Sequence, residues 1–305
     1  MTDMMREPCD FRAGSAQAML HFRPVAPRNS AAICPSGRFR VLLQEIKPIF
    51  SCKRKWTMII RHVLSFGGGV NSAALMVVLL QEGLPFDEAV FADTGGEVPE
   101  TYQYLETARN FLADHEVPLT VVAKRGRTLY ETSWDRRVFP SAIWRWSTRD
   151  FKITPIHRHY RSLEAHINQY LAIAWDEVHR MKDSRVDYVT NLYPLIDRQI
   201  TRADCVAIIQ EAGLPLPQRS SCFFCPFNSV DRWRWLYETH PDLYDKAIAL
   251  EERSKHFPSQ RLTDQAFRDR TEISLRSLAE AFADGRPMPT LPAVEQQPCG
   301  AECGT

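Results

Sequence analysis

Residues 63–80 read VLSFGGGVNSAALMVVLL: an apolar strand, three glycines, Asn71 and Ser72, then an apolar helix. Successive glycines let the backbone turn tightly and bring its N–H groups against a ligand with no Cβ in the way. The helix that follows opens with unpaired N–H groups and a partial positive charge. Together these make an anion site suited to phosphate, with Asn71 and Ser72 adding polar contacts. A glycine-rich turn without a ligand would carry the same letters. Two familiar phosphate motifs do not fit: no Lys-Ser/Thr pair follows the loop, and the spacing is not G-x-G-x-x-G.

Working outward, the pattern stays regular. The strand 59–65 feeds a helix from about Ser72 to Gly83, followed by a strand at 88–94. Pro99 opens a helix reaching about Glu116, and a strand at 119–123 follows. Strand alternating with helix at this spacing predicts an α/β fold with a parallel sheet and right-handed crossovers. The apolar run 170–175 (YLAIAW) reads as a further core strand. Thr201 with Asp204 forms a capping-box variant for a helix reaching Ala212. Beyond it the chain reads as helical over 231–238, 241–252 and 274–283. The organisation expected is a basic N-terminal extension over 1–57, an α/β nucleotide-binding domain over 58–215, a helical part over 216–283, and a Pro-rich linker with a cysteine tail over 284–305.

Residues 1–57 hold ten Lys or Arg against four acids and no sustained periodicity, which predicts disorder or an overlong reading of the gene. A transit peptide is a weaker reading. The opening lacks the apolar run of a secretory signal, and nothing approaches the ~20 apolar residues of a membrane span. A cytoplasmic protein without a membrane partner is expected. The formal net charge of +1 gives no global pull toward nucleic acid, so any such attraction must be local.

The loop Gly68-Gly69-Val70-Asn71-Ser72 resembles the pyrophosphate-binding loop of the PP-loop ATP pyrophosphatases, usually Ser-Gly-Gly-x-Asp-Ser. Gly67 stands where the first Ser would fall, and Asn71 replaces the Asp. The segment 91–105 (FADTGGEVPETYQYL) resembles the Asp-Thr-Gly and Pro-Glu-Thr-Tyr landmark of the phosphoadenosine phosphosulfate (PAPS) reductase-like branch. The segment 147–156 (STRDFKITPI) is similar to its Cys-Thr-x-x-x-Lys-x-x-Pro landmark, with Ser147 in place of Cys. The resemblance implies a doubly wound, adenine nucleotide alpha hydrolase-like sheet with the nucleotide over the strand ends. It implies that Ser65, Gly67, Gly68, Gly69, Asn71 and Ser72 hold phosphates, that Asp93, Thr94 and Gly95 lie near ribose or adenine, and that Arg149 and Lys152 close on the anion as catalytic cations.

Cys222 and Cys225 form a C-x-x-C in SSCFFCPF, and Cys299 and Cys303 a C-x-x-x-C in the tail. In a chain without a secretion signal such pairs more often bind metal or do redox chemistry, and four thiolates would complete a [4Fe–4S] or Zn²⁺ site. A metal-free dithiol remains open, and Cys205 reads as a buried core thiol or a spare ligand. Glu302-Cys303-Gly304 also resembles the Glu-Cys-Gly-x-His end of sulfonucleotide reductases, which would make Cys303 a nucleophile.

Two polar clusters remain. Glu177 and Arg180 either pair with each other on a helical turn or serve Mg²⁺ and phosphate respectively. Residues 124–161 carry ten Lys or Arg against three acids, with Trp134, Trp144 and Trp146 interleaved, which suits an RNA or other nucleic-acid partner. The leading expectation is attack on the α-phosphate of ATP with release of pyrophosphate, with or without a sulfur-transfer step. A thiol-dependent reductase of PAPS using Cys303 is one rival. A non-catalytic nucleotide-binding module of a nucleic-acid modification or defence system is the other. Nothing in the sequence fixes the oligomeric state.

Overall fold

The structure is a computed structural model that describes residues 59–140, 145–254 and 274–285. The expectations for residues 1–57, Trp144, Cys299 and Cys303 lie outside the described residues. Five strands form one parallel sheet in the order β3-β2-β1-β4-β5. They are β1 (Ile60–Ser65), β2 (Glu88–Asp93), β3 (Leu119–Ala123), β4 (His166–Tyr170) and β5 (Val189–Leu192). The chain builds outward from β1 to β3, then crosses back to lay β4 against the other side of β1. The order therefore reverses between β1 and β4, and a crevice opens outside their C-terminal ends.

The sheet is doubly wound because successive side chains of a strand face opposite sides. In β1, Leu64 packs into a core with α1 (Val70–Gln81), α2 (Pro99–Ala113) and α7 (Arg202–Glu211). Its neighbour Val63 packs on the other face with Ile156 and Tyr160 of α5 (Thr154–Ser162). Helix α1 is apolar almost all round, with Ala73 to Leu79 buried, as suits a helix wedged between the sheet and other helices. Short helices α3 (Leu129–Arg136), α4 (Trp146–Thr148) and α6 (Pro194–Asp197) punctuate the loops. Beyond α7, helices α8 (Val230–Thr239) and α9 (Pro241–Arg253) and a last helix, Leu275–Ala283, enclose an aromatic core around Phe224, Trp233 and Tyr244.

The sequence misplaced one strand and overlooked another. β4 is His166–Tyr170, not 170–175, and β5 carries no clear apolar alternation. The reason is that the polar residues of β4 are matched across the sheet: Gln169 Nε2 donates to Asn191 Oδ1 at 3.2 Å, and His166 Nε2 lies 2.9 Å from Thr190 Oγ1. The apolar Leu171 and Ile173 lie just past the strand, in a small core with Tyr193 and Ile196. The Thr201 capping box is present: the Asp204 carboxylate accepts from Thr201 N at 2.8 Å while Thr201 Oγ1 accepts from Asp204 N at 3.3 Å.

Candidate nucleotide site at the sheet switch point

The glycine loop lies in the crevice between β1 and β4. Ser65 ends β1, Gly67 and Gly68 turn the chain, and Gly69 caps α1. Ser72 closes the cap, its Oγ donating to Gly69 O at 2.9 Å and accepting from Gly69 N at 3.1 Å. Gly68 has φ +71°, and a Cβ there would lie 3.3 Å from Thr101 Cγ2 and 3.5 Å from Phe91 Cε2. The loop also has a neighbour that sequence reasoning missed. Ser220, 153 residues downstream, donates its hydroxyl to Gly67 O at 2.6 Å.

On the β4 side, a 3-10 helix (Trp175–Arg180) and the start of α7 reach the loop. Asn71 Nδ2 donates to Glu177 Oε2 at 3.0 Å, and Arg180 Nη1 donates to Glu177 Oε1 at 2.8 Å. Arg202, also missed, donates from Nη1 to Asn71 Oδ1 at 3.2 Å. Both oxygens of Glu177 are thus engaged by protein donors, and Glu177 and Arg180 pair over one helical turn. No signal in one sequence ties Asn71 to residues more than a hundred positions away.

On the β2 side, Asp93 ends the strand and its Oδ1 accepts from Gly95 N at 2.7 Å and Tyr102 OH at 2.8 Å. Burial and the Asp93 carboxylate raise the Tyr102 phenol far above its ordinary range, so it remains a donor. Thr94 Oγ1 donates to the buried carboxylate of Glu97 at 3.2 Å. Lys152 Nζ stands 3.9 Å from the same Glu97 oxygen. Lys152 and Arg149 share a π-helical turn, Arg149–Ile153, a local irregularity often found at functional sites. Arg149 is largely exposed and holds Asp150 at 2.7 Å. Glu97 lies within the quoted 91–105 landmark, and its burial is the property the letters did not reveal.

Residues 61–191 match the phosphoadenosine phosphosulfate reductase domain. The match covers less than half of the chain. It spans all five strands and both walls described so far, apart from Arg202 and Ser220. Solved structures to which the chain is similar include a PAPS reductase from Candida auris in a phosphate complex, at 16% identity over 52% of this chain and 74% of that one, with a TM-score of 0.37. The U34-tRNA thiolase NcsA from Methanococcus maripaludis with its [4Fe-4S] cluster is 14% identical over 65% and 73%, with a TM-score of 0.42. The NH3-dependent NAD synthetase from Campylobacter jejuni is 14% identical over 70% and 88%, with a TM-score of 0.33. No curated protein matches the sequence. The strand order and the helices on both faces of the sheet are those of a doubly wound α/β fold.

Downstream of the matched residues, the C-x-x-C lies against the β2 wall. Glu97 and Cys222 form an isolated antiparallel bridge, and Phe223 N donates to Gly96 O at 2.8 Å. Cys222 Sγ lies 3.8 Å from Glu97 Oε1 and 3.5 Å from Thr94 Oγ1. Cys225 N donates to Cys222 O at 3.0 Å, so the two thiols share one tight turn, flanked by the buried Phe223 and Phe224. The buried guanidinium of Arg232 lies within electrostatic reach of Cys225, and burial pushes it down to about 10. Two thiols on one turn beside a buried cation fit half of a thiolate-bound metal or cluster. Among the described residues no third Cys, His, Asp or Glu completes a ligand group, and Cys299 and Cys303 lie outside them.

Cys205 is separate, fully buried on α7. Burial pushes its thiol up to about 12. Alkylation of the native protein at about pH 8, read by peptide mass mapping, should leave Cys205 unmodified until denaturant is added. Rapid native labelling would refute the packing.

The basic and aromatic region is partly self-satisfied. Arg136 stacks on Trp146 at 5.1 Å, Arg253 on Trp134 at 4.6 Å and Lys124 on Phe151 at 4.4 Å. Those ring faces are already covered by cations of the chain itself. No helix of the described residues is long and apolar enough to cross a membrane.

Proposed function

We propose that the chain binds the phosphates of ATP at its glycine loop and transfers the adenylyl group to an acceptor, releasing pyrophosphate. The observation that supports this most is the placement of the loop: glycine backbone and the start of α1 lie at the switch point of a parallel sheet. In the step envisaged, an acceptor oxygen bonds to the α-phosphorus as the bond to the bridging oxygen breaks. The electron pair leaves with pyrophosphate. Backbone N–H groups at Gly68 and in the first turn of α1 would meet the charge that develops on that leaving group, while Lys152, on the β2 side, would meet the α-phosphate. Asp93, Thr94 and Gly95 would border the nucleoside.

Magnesium would accompany the phosphates and screen their charge. If the C-x-x-C is loaded, Cys222 and Cys225 would hold the metal or cluster, with Cys299 and Cys303 as partners. Such a centre supplies structural stability or sulfur chemistry. The acceptor in this reading is a metabolite or a nucleic acid.

The test is calorimetry of anaerobically purified protein with ATP–Mg²⁺ against PAPS, paired with an assay for pyrophosphate and sulfite. Tight ATP binding with PAPS ignored, and pyrophosphate released once an acceptor is supplied, is the expected result. Preference for PAPS with sulfite release would overturn the proposal in favour of a reductase.

A further inference from the structure

We propose that Arg202 reads the far end of the ligand's phosphate chain, so that the site separates a nucleoside triphosphate from a monophosphate. This rests on the nucleotide reading given above. Helix α7 packs along α1, and both begin at the glycine loop. Arg202 is the first residue of α7, and its backbone N–H is held by Asp176 Oδ1 at 3.1 Å. Its Nη1 donates to Asn71 Oδ1 at 3.2 Å. Among the described residues that carboxamide is the only side chain bonded to the guanidinium, and no carboxylate lies within ion-pair distance of it.

The contrast with Arg180 is informative. Arg180 is paired with Glu177, and the second oxygen of Glu177 takes the Asn71 amide at 3.0 Å. Asn71 is therefore fixed in one orientation, nitrogen toward the acid and oxygen toward Arg202. Flipping it would set donors against donors and acceptor against acceptor. A guanidinium has five N–H donors, and one is used here. The residue is exposed, so the remaining donors can take a ligand without burying an uncompensated charge.

The direction of the phosphate chain follows from the nucleoside placement proposed above. With the nucleoside over β2, beside Asp93 to Gly95, phosphates that run across the glycine loop toward β4 end at Arg202. Lys152 and Glu97 occupy the opposite wall. A monophosphate would fill the loop and fall short of Arg202.

Calorimetry on the full chain with ATP–Mg²⁺, AMP and inorganic pyrophosphate tests this. Arg202→Ala should weaken ATP and pyrophosphate by roughly 10- to 100-fold and AMP by less than about twofold. Arg202→Lys keeps the charge and loses the fork, and should recover part of the loss. Equal weakening of all three ligands, or none, would overturn the assignment. A wild-type protein that binds ATP and AMP alike overturns both this inference and the function it rests on. A wild type that strongly prefers ATP, with the preference intact in Arg202→Ala, overturns the role of Arg202 alone.

Discussion

Alanine in place of Gly95 is expected to destabilise the fold by roughly 2–4 kcal/mol, combining left-handed backbone strain with overpacking. Gly95 has φ +67°, where an L side chain crowds its own carbonyl. The new Cβ would also lie 2.5 Å from Thr128 Cγ2 and 2.8 Å from Thr128 Cβ. Thr128 cannot swing away cheaply. Its hydroxyl caps α3, accepting from Glu131 N at 3.2 Å, and the next residue, Leu129, donates from N to Thr94 O at 2.8 Å. Relieving the clash thus means loosening either α3 or the Thr94–Glu97 turn that faces Lys152. Gly213 is the control, since it too has positive φ, +71°, with nothing within 4 Å of a Cβ. Urea unfolding should show Gly213→Ala losing only the strain component, about 1–2 kcal/mol. Equal losses at the two positions would remove the steric argument.

The second large effect belongs to Asn71→Asp. The change deletes the donor that faces Glu177 at 3.0 Å and installs a second carboxylate in its place. Arg180 and Arg202 offset part of the repulsion, but no proton lies between the two facing oxygens, so one carboxyl of the new pair holds its proton to higher pH in the folded state. The sign follows from linkage. A raised folded-state carboxyl binds more protons than the unfolded chain, so the variant loses stability as pH rises. Its deficit against wild type should be small near about pH 4 and full near about pH 8, on the order of 1–3 kcal/mol. Nucleotide affinity at about pH 8 should fall roughly 10- to 100-fold. Adding Glu177→Gln restores one donor and one acceptor with their places exchanged, and the introduced carboxylate then forms an ion pair with Arg202. The double variant should recover most of both losses. If Asn71→Asp alone matches wild type across this pH range, the network is not maintained in solution.

How much of this was legible beforehand depends on the range of the signal. The β1–glycine–α1 unit is written in one contiguous run, because apolar periodicity and glycine freedom are local properties. The same holds for the Thr201 cap and for α8 and α9. Strand β4 was displaced because HINQY is polar; its side chains find partners on β1 and β5, and that matching is invisible until the sheet is assembled. The site divides along the same line. Asp93, Thr94 and Lys152 fall in recognisable segments. Glu97, Arg202 and Ser220 matter through burial or through contacts that span 26 to 153 positions. A single sequence carries no trace of such pairings.

The Ser220–Gly67 bond bears on the order in which the site is completed. A nascent chain ending at Leu214 would already hold all five strands and α7, with the doubly wound sheet closed on both faces. It would still lack the hydroxyl over Gly67 and the Cys222 bridge to Glu97. Closing so long a loop is among the later and slower events available to a polypeptide. During synthesis, then, the glycine loop stays uncovered after the scaffold is finished, and the candidate site is assembled last, by residues that leave the ribosome behind all five strands.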